Sequence, residues 1–145
     1  MVSGQSTKPS HSPLTTPHSL YFLDLPGYGY ARAGKTDRAA FRRLLAHALE
    51  RARLAGVVWL LDIRHPPSAD DRAMQDVLAE GGTGVLAALT KSDKLPRGQR
   101  RLREQELRAA LALDEDQAIV TSATTGEGIP ELREAITALV KETAT

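Results

Sequence analysis

The 145-residue sequence contains no cysteine, which excludes a disulfide framework, a redox-active thiol and any zinc site built on thiolate ligands. No apolar run approaches the roughly 18–20 residues of a membrane span, and the N-terminus lacks the apolar stretch of a signal peptide. An excess of one charge is also lacking, since 19 Lys and Arg against 18 Asp and Glu give a net charge of +1. We therefore expect a cytoplasmic protein that binds neither membranes nor DNA.

What is present is the composition of a soluble globular protein, with 41% hydrophobic and 26% charged residues. A chain of this length has room for one domain with a sizeable core. Residues 1–19 differ from the rest, because 14 of the 19 are Ser, Thr, Pro, His or Gly. Such a segment has too few apolar side chains to offset the entropy of ordering it. We predict a disordered or atypical N-terminal segment over 1–19, followed by one domain over 20–145.

From residue 20 onward, short apolar runs alternate with helical patterns. Four runs are typical of strands: 20–25, 57–61, 85–89 and 117–121. Apolar residues recur at helical spacing over about 36–52, 69–80 and 97–113, and again from Pro130 onward. In the third helix we expect Leu102, Leu107 and Leu111 to be buried. Continuous apolar strands separated by helices indicate a parallel sheet covered on both faces, and so an α/β fold.

Polar clusters follow three of the predicted strands, at the edge of the sheet where α/β proteins bind ligands. In chain order they are Asp24-Leu25-Pro26-Gly27, Thr90-Lys91-Ser92-Asp93 and Thr121-Ser122-Ala123. The Asp24 carboxylate can hold a magnesium ion, which keeps much of its hydration shell and so is bound through water. Gly27 can bring its backbone N–H close to a phosphate, because no Cβ obstructs the approach.

The second and third clusters have the chemistry needed to read guanine. Asp93 offers two acceptor oxygens, which match the N1–H and the exocyclic amine of guanine, whereas adenine presents an acceptor and no second donor on that edge. The Lys91 stem can lie over the base and ribose, and the Ala123 N–H can meet the guanine oxygen. Taken alone, Thr-Lys-x-Asp can be a solvated turn and Thr-Ser-Ala can be strand-end packing. The order, spacing and strand-end placement together indicate a guanine-nucleotide site.

Four segments resemble the EngB (YihA/YsxC) family of TRAFAC-class bacterial GTPases, and the resemblance extends over about 20–140. They are Asp24-Leu-Pro-Gly-Tyr-Gly-Tyr-Ala31, Leu61-Asp-Ile-Arg-His-Pro-Pro-Ser-Ala-Asp70, Thr90-Lys-Ser-Asp-Lys-Leu95 and Gly126-Glu-Gly-Ile129. The resemblance implies a P-loop GTPase-like three-layer sandwich with a mostly parallel sheet. It also implies GTP or GDP as ligand, Mg2+ as cofactor, and roles in assembly of the large ribosomal subunit and in cell division septation.

The resemblance also implies roles for individual residues. Asp24, Leu25, Pro26, Gly27 and Tyr28 would form the second switch, with Asp24 toward magnesium and Gly27 toward the γ-phosphate. The segment 90–93 would read the base, supported by 121–123. Tyr28 stands where Ras-like proteins carry a water-orienting glutamine, so we expect slow hydrolysis and assign no catalytic residue. Loop packing is the alternative reading of Tyr28.

The family's phosphate-binding motif, Gly-x-x-x-x-Gly-Lys-Ser/Thr, does not occur in the sequence. In the fold that the resemblance implies, the first strand would lie between the strands that begin at Leu20 and Val57, and both would lose a partner without it. We therefore expect an N-terminally truncated member that lacks this strand and the P-loop, and leave open whether it is a GTPase.

A non-catalytic remnant is the alternative function. It would bind ribosomal RNA or protein, without tight GTP binding, through a basic stretch composed of Lys94, Arg97, Arg100, Arg101 and Arg103.

Overall fold

The structure, a computed structural model, describes residues 20–27, 35–50 and 53–144, with side chains from residue 39 onward in the second range. The predicted N-terminal segment 1–19 lies outside the described residues. The helices are α1 (Lys35–Leu49), α2 (Ala69–Glu80), α3 (Arg97–Ala110) and α4 (Ile129–Thr143). The strands are β1 (Val57–Asp62), β2 (Val85–Thr90) and β3 (Ala118–Val120). Single turns of 3-10 helix occupy Ser92–Lys94 and Glu115–Gln117.

The three strands form a parallel sheet in the order β1-β2-β3. In the register of the first pair Asp62 lies opposite Thr90, and in the second pair Leu89 lies opposite Val120. The carboxyl ends of all three strands therefore meet at one edge of the sheet. The predicted α/β class is confirmed, with helices connecting consecutive parallel strands.

Helix α2 shows how local sequence determines an element boundary. Ser68 precedes the helix in extended conformation, and its Oγ accepts the Asp71 N–H at 3.1 Å. The Asp71 carboxylate in turn accepts the Ser68 N–H at 2.7 Å, which completes a capping box. The helix ends at Glu80 before the Gly81-Gly82 pair, as the sequence predicted.

The core lies between the sheet and helices α1, α2 and α3. Its central side chains are fully buried or nearly so, and they include Leu45, Trp59, Met74, Leu89 and Leu107. Helix α4 has no fully buried residue. Leu60 on β1 is 67% exposed, so the expectation that both faces of the sheet are covered is not met at this strand.

Leu102 was expected to be buried with Leu107 and Leu111, and this prediction was wrong. Leu102 is 60% exposed, whereas the other two are 1% exposed. At 3.6 residues per turn, five residues separate Leu102 from Leu107 by about 140° around the helix. Helix α3 therefore packs through its C-terminal half, and Leu102 lies away from the core.

The predicted strand over 20–25 is not formed, and residues 20–27 have no regular secondary structure. Leu20, Tyr21, Phe22 and Leu23 are 48–87% exposed, while Leu25 packs against the core. The described sheet contains β1, β2 and β3 only, and this segment pairs with none of them. An apolar run gains the backbone bonds of a strand only beside a partner, which explains the wrong prediction.

Candidate functional site

The segments 90–93 and 121–123 lie side by side at the carboxyl edge of β2 and β3. Thr121 donates its N–H to the Leu89 carbonyl at 2.8 Å, and its own carbonyl accepts the Ser92 N–H at 3.1 Å. Thr90 Oγ1 donates to the Leu61 carbonyl at 3.2 Å, which joins the end of β2 to β1. The structure thus brings together the two predicted base-reading segments, although they are about 30 residues apart in sequence.

The Asp93 carboxylate is oriented by a hydrogen bond from Ser122. Ser122 Oγ donates to Asp93 Oδ1 at 2.8 Å and also accepts the Thr125 N–H at 3.1 Å. Ser122 is fully buried, and the Asp93 side chain is 15% exposed, with its Oδ2 3.8 Å from Lys94 Nζ. A carboxylate oxygen has two lone pairs, so Oδ1 can accept a second donor while Oδ2 remains available.

A backbone donor directly follows Ser122, the residue that orients this carboxylate. Ala123 directly follows Ser122 and is exposed. Its N–H donates to no other described residue. A carboxylate and a nearby N–H together have the polarity that the edge of guanine requires, since guanine presents two donors beside a carbonyl oxygen.

The backbone of Lys91 is in the left-handed region, with φ 63° and ψ 34°. Its ammonium contacts Asp62, a residue to which the sequence analysis gave no role. Lys91 Nζ lies 3.1 Å from Asp62 Oδ2 at the end of β1. Arg64 holds the same carboxylate through Nη2 at 2.7 Å and Nε at 3.0 Å. The register pairing of Asp62 with Thr90 is the signal that could have found this contact.

The pKa of Asp62 lies well below its usual range, mainly because its carboxylate accepts hydrogen bonds from the Arg64 guanidinium. Partial burial of the carboxyl opposes this shift, while the Arg64 N–H and the Lys91 ammonium add to it. Asp62 is therefore an anion throughout the neutral range, and it keeps the Lys91 ammonium at the edge of the sheet.

Glu127 is a second residue to which the sequence analysis gave no role, although it lies in the quoted segment 126–129. Its carboxylate accepts Ser92 Oγ at 2.5 Å and Arg100 Nη1 at 3.0 Å. Its carbonyl accepts the Ser122 N–H at 3.0 Å. Glu127 thus contacts both base-reading segments, and only the three-dimensional pairing of the two loops reveals it.

The first predicted segment differs from the other two. Asp24, Pro26 and Gly27 are exposed and Leu25 is half-buried, while Tyr28 lies outside the described residues. Within the described ranges, no group of three or more His, Cys, Asp or Glu residues could hold a metal ion. The magnesium role of Asp24 stays a prediction, and no reaction step is derived through that ion. In the part of the chain that the structure describes, no helix has the length and apolar character to span a membrane.

No protein-family model matches the chain, but curated relatives do. The probable GTP-binding protein EngB of Gemmatimonas aurantiaca is 47% identical over 124 residues, covering 85% of this chain and 61% of that protein. The proteins of the same name from Heliobacterium modesticaldum and Exiguobacterium sibiricum are each 44% identical, and 55% and 62% of their lengths are covered. This chain therefore spans about three-fifths of the length of these relatives.

A crystal structure of a probable GTP-binding protein EngB superposes with a TM-score of 0.68 at 20% sequence identity. The match covers 82% of this chain and 77% of that one, and it shows the fold. The described structure is thus an α/β sandwich of the GTPase-like class. With the sequence identities to the curated relatives, it follows that the chain belongs to the EngB family.

Proposed function

We propose that this chain recognises guanine nucleotides, GTP or GDP, through the loops 90–93 and 121–123. The observation that carries the proposal is the Asp93 carboxylate, which the buried Ser122 hydroxyl fixes at 2.8 Å. Ala123 directly follows Ser122, and its N–H donates to no other described residue. The relatives are named as probable GTP-binding proteins, which supports the ligand class.

Each group would make a distinct contact with the base. Asp93 accepts hydrogen bonds from guanine N1–H and from the exocyclic amine, and the Ala123 N–H donates to the guanine carbonyl oxygen. The aliphatic part of Lys91 lies against the base and ribose, since its ammonium is held by Asp62. Adenine would leave the largely buried carboxylate without its donors, which costs about 1–3 kcal/mol or more for a charged group.

We propose binding rather than turnover for the described residues. The sequence has no Gly-x-x-x-x-Gly-Lys-Ser/Thr to hold the β-phosphate, and we assign no hydrolytic step to any residue. The second-switch role of 24–28, with Asp24 reaching magnesium through water, rests on the family resemblance. On the same basis we propose a cytoplasmic role in assembly of the large ribosomal subunit and in septation.

The basic stretch supports the alternative function less well. Three of its five cations pair within the chain, since Arg100 contacts Glu127 at 3.0 Å, Arg103 contacts Glu106 at 3.0 Å and Lys94 lies 3.8 Å from Asp93. That leaves Arg97 and Arg101 as the cations of the set that have no ion pair with another described residue. Two cations supply little of the phosphate neutralisation on which RNA affinity depends.

The test is titration of the full chain with fluorescent GDP, with and without magnesium, beside an Asp93→Asn variant. We expect saturable binding with a dissociation constant of about 100 μM, weakened at least about tenfold by Asp93→Asn. Asp76→Asn, which alters an exposed carboxylate on α2, is the matched control and should bind like the parent. No binding up to about 1 mM, or equal binding by Asp93→Asn, would overturn the proposal. Salt-dependent RNA binding in its place would favour the alternative.

A further inference from the structure

One charged bridge at the carboxyl edge of the sheet lies outside the groups expected to touch the base. The Glu127 carboxylate accepts Ser92 Oγ at 2.5 Å. Arg100 Nη1 donates to both oxygens of the same carboxylate, at 3.0 and 3.3 Å. Glu127 therefore joins three parts of the chain: the loop after β2, the first turns of α3 and the turn before α4.

The backbone around Glu127 is fixed on both sides. Its carbonyl accepts the Ser122 N–H at 3.0 Å, and the Gly126 N–H donates to the Ser122 carbonyl at 2.9 Å. Gly128 has φ +70°, and a Cβ at this position would collide with the Val120 carbonyl oxygen. Only glycine suits that position, so the chain presents the Glu127 carboxylate toward Ser92.

Arg100 holds the other end of the bridge. Its Nε donates to the Leu95 carbonyl at 3.1 Å, so the guanidinium spans the end of the 91–95 loop as well as Glu127. The Arg100 side chain is 22% exposed, and Ser92 is fully buried. Hydrogen bonds with an ionised partner are shorter and about twice as strong as neutral ones, and burial of Ser92 limits competition from water.

Asp93 directly follows Ser92, so it is held from two directions. Ser122 fixes its carboxylate, while Glu127 fixes the residue before it. We infer that Glu127 is a positioning residue for guanine recognition: bridged to Arg100 and Ser92, it holds the 91–95 loop so that Asp93 accepts hydrogen bonds from the base. Glu127 acts through Ser92 and does not touch the base. This inference rests on the proposed function.

The first arm of the test compares fluorescent GDP with fluorescent IDP, whose base lacks the exocyclic amine that Asp93 would bind. Glu127→Gln keeps the shape of the side chain and removes its charge. We expect it to weaken GDP binding about tenfold and to bring the GDP-to-IDP affinity ratio close to 1. Glu106→Gln, which breaks the ion pair with Arg103 within α3, should leave the affinity and the ratio unchanged.

Two variants of Arg100 separate the effect of its positive charge from the effect of its size. Arg100→Lys keeps a cation beside Glu127 and should retain most of the GDP-to-IDP ratio, whereas Arg100→Gln should behave like Glu127→Gln. A ratio that is the same in Glu127→Gln as in the parent would overturn the inference, whatever happens to thermal stability.

The second arm needs no nucleotide and follows amide hydrogen exchange in the full chain. We expect Glu127→Gln to speed exchange about tenfold at Ser92, Lys94 and Leu95, whose N–H groups bond within or across the two loops. Leu78 in α2 should exchange as in the parent. If the parent binds no GDP, the proposed function fails, and exchange alone decides whether the bridge orders the loop. Unchanged exchange in the 91–95 loop would overturn the inference.

Discussion

The loops that follow β2 and β3 and the segment 20–27 are both parts of the predicted nucleotide site, yet the chain orders them very differently. In the loops, Ser92 and Ser122 are fully buried and Thr121 is 3% exposed. In 20–27 there is no strand, and four apolar side chains are 48–87% exposed. Both segments resemble the same family, so motif content does not account for the difference.

The difference teaches that a loop is ordered by the strands that flank it. The loops proposed to bind guanine contact β1, β2, β3, α3 and the turn before α4, all of which the structure describes. The segment 20–27 pairs with no described strand, so its apolar residues gain no backbone pairing, and only Leu25 among them is covered by the core. The loops proposed to bind guanine are thus held by described elements, whereas the segment 20–27 is held mainly through Leu25.

The largest expected difference between the two regions is the loss of stability when one of their leucines is replaced by alanine. Leu89 is fully buried at the end of β2, whereas Leu23 is 56% exposed. We expect Leu89→Ala to lower the free energy of unfolding by about 3 kcal/mol and Leu23→Ala by less than about 0.5 kcal/mol. Urea unfolding at equilibrium measures both. Equal losses would mean that 20–27 packs as firmly as the sheet.

The next contrast uses glycines around the base-reading loops. Gly128→Ala combines a positive φ with a collision at the Val120 carbonyl, and it should cost about 2–4 kcal/mol. Gly126→Ala has a positive φ of 81° but open space, so it should cost about 1–2 kcal/mol.

Gly98→Ala in α3 meets nothing within 4 Å and should stabilise the protein by about 0.5–1 kcal/mol. Thermal and urea unfolding of the three glycine variants would reveal any departure from this order. Such a departure would contradict the constrained geometry that we assign to Gly128.

The smallest expected effect concerns the charges at the end of β1. Asp62→Asn removes the partner of Arg64 and Lys91 and should cost about 1 kcal/mol, less at high salt because the group is partly exposed. The pKa of Asp62 is depressed in the folded state, so this stability is fully present above the ordinary carboxyl pKa of about 4.

The contribution of Asp62 should then be lost as the pH falls from about 4 toward the depressed pKa. Unfolding of the parent and of Asp62→Asn at pH 7, 4 and 3 measures the difference, with Asp76→Asn as control. A difference that grows on acidification would contradict the assigned sign.

The sequence could predict features that depend on local pattern. The runs that became β1 and β2 and the capped helix α2 needed only apolar spacing and end signals. The positions of Asp62 and Glu127 could not be predicted in this way. Their contacts depend on strand register and on a loop pairing across 35 residues. The prediction of a strand over 20–25 was wrong for a related reason, because its pattern was suitable but it pairs with no strand of the described sheet.

The most direct test of preformed base recognition removes the phosphates altogether. Guanosine and adenosine can be titrated separately into the isotopically labelled chain while the amide resonances of Lys91, Asp93 and Ala123 are followed. The account predicts saturable shifts at these residues with guanosine and none with adenosine. Equal shifts with both nucleosides, or none with guanosine up to its solubility limit, would contradict it.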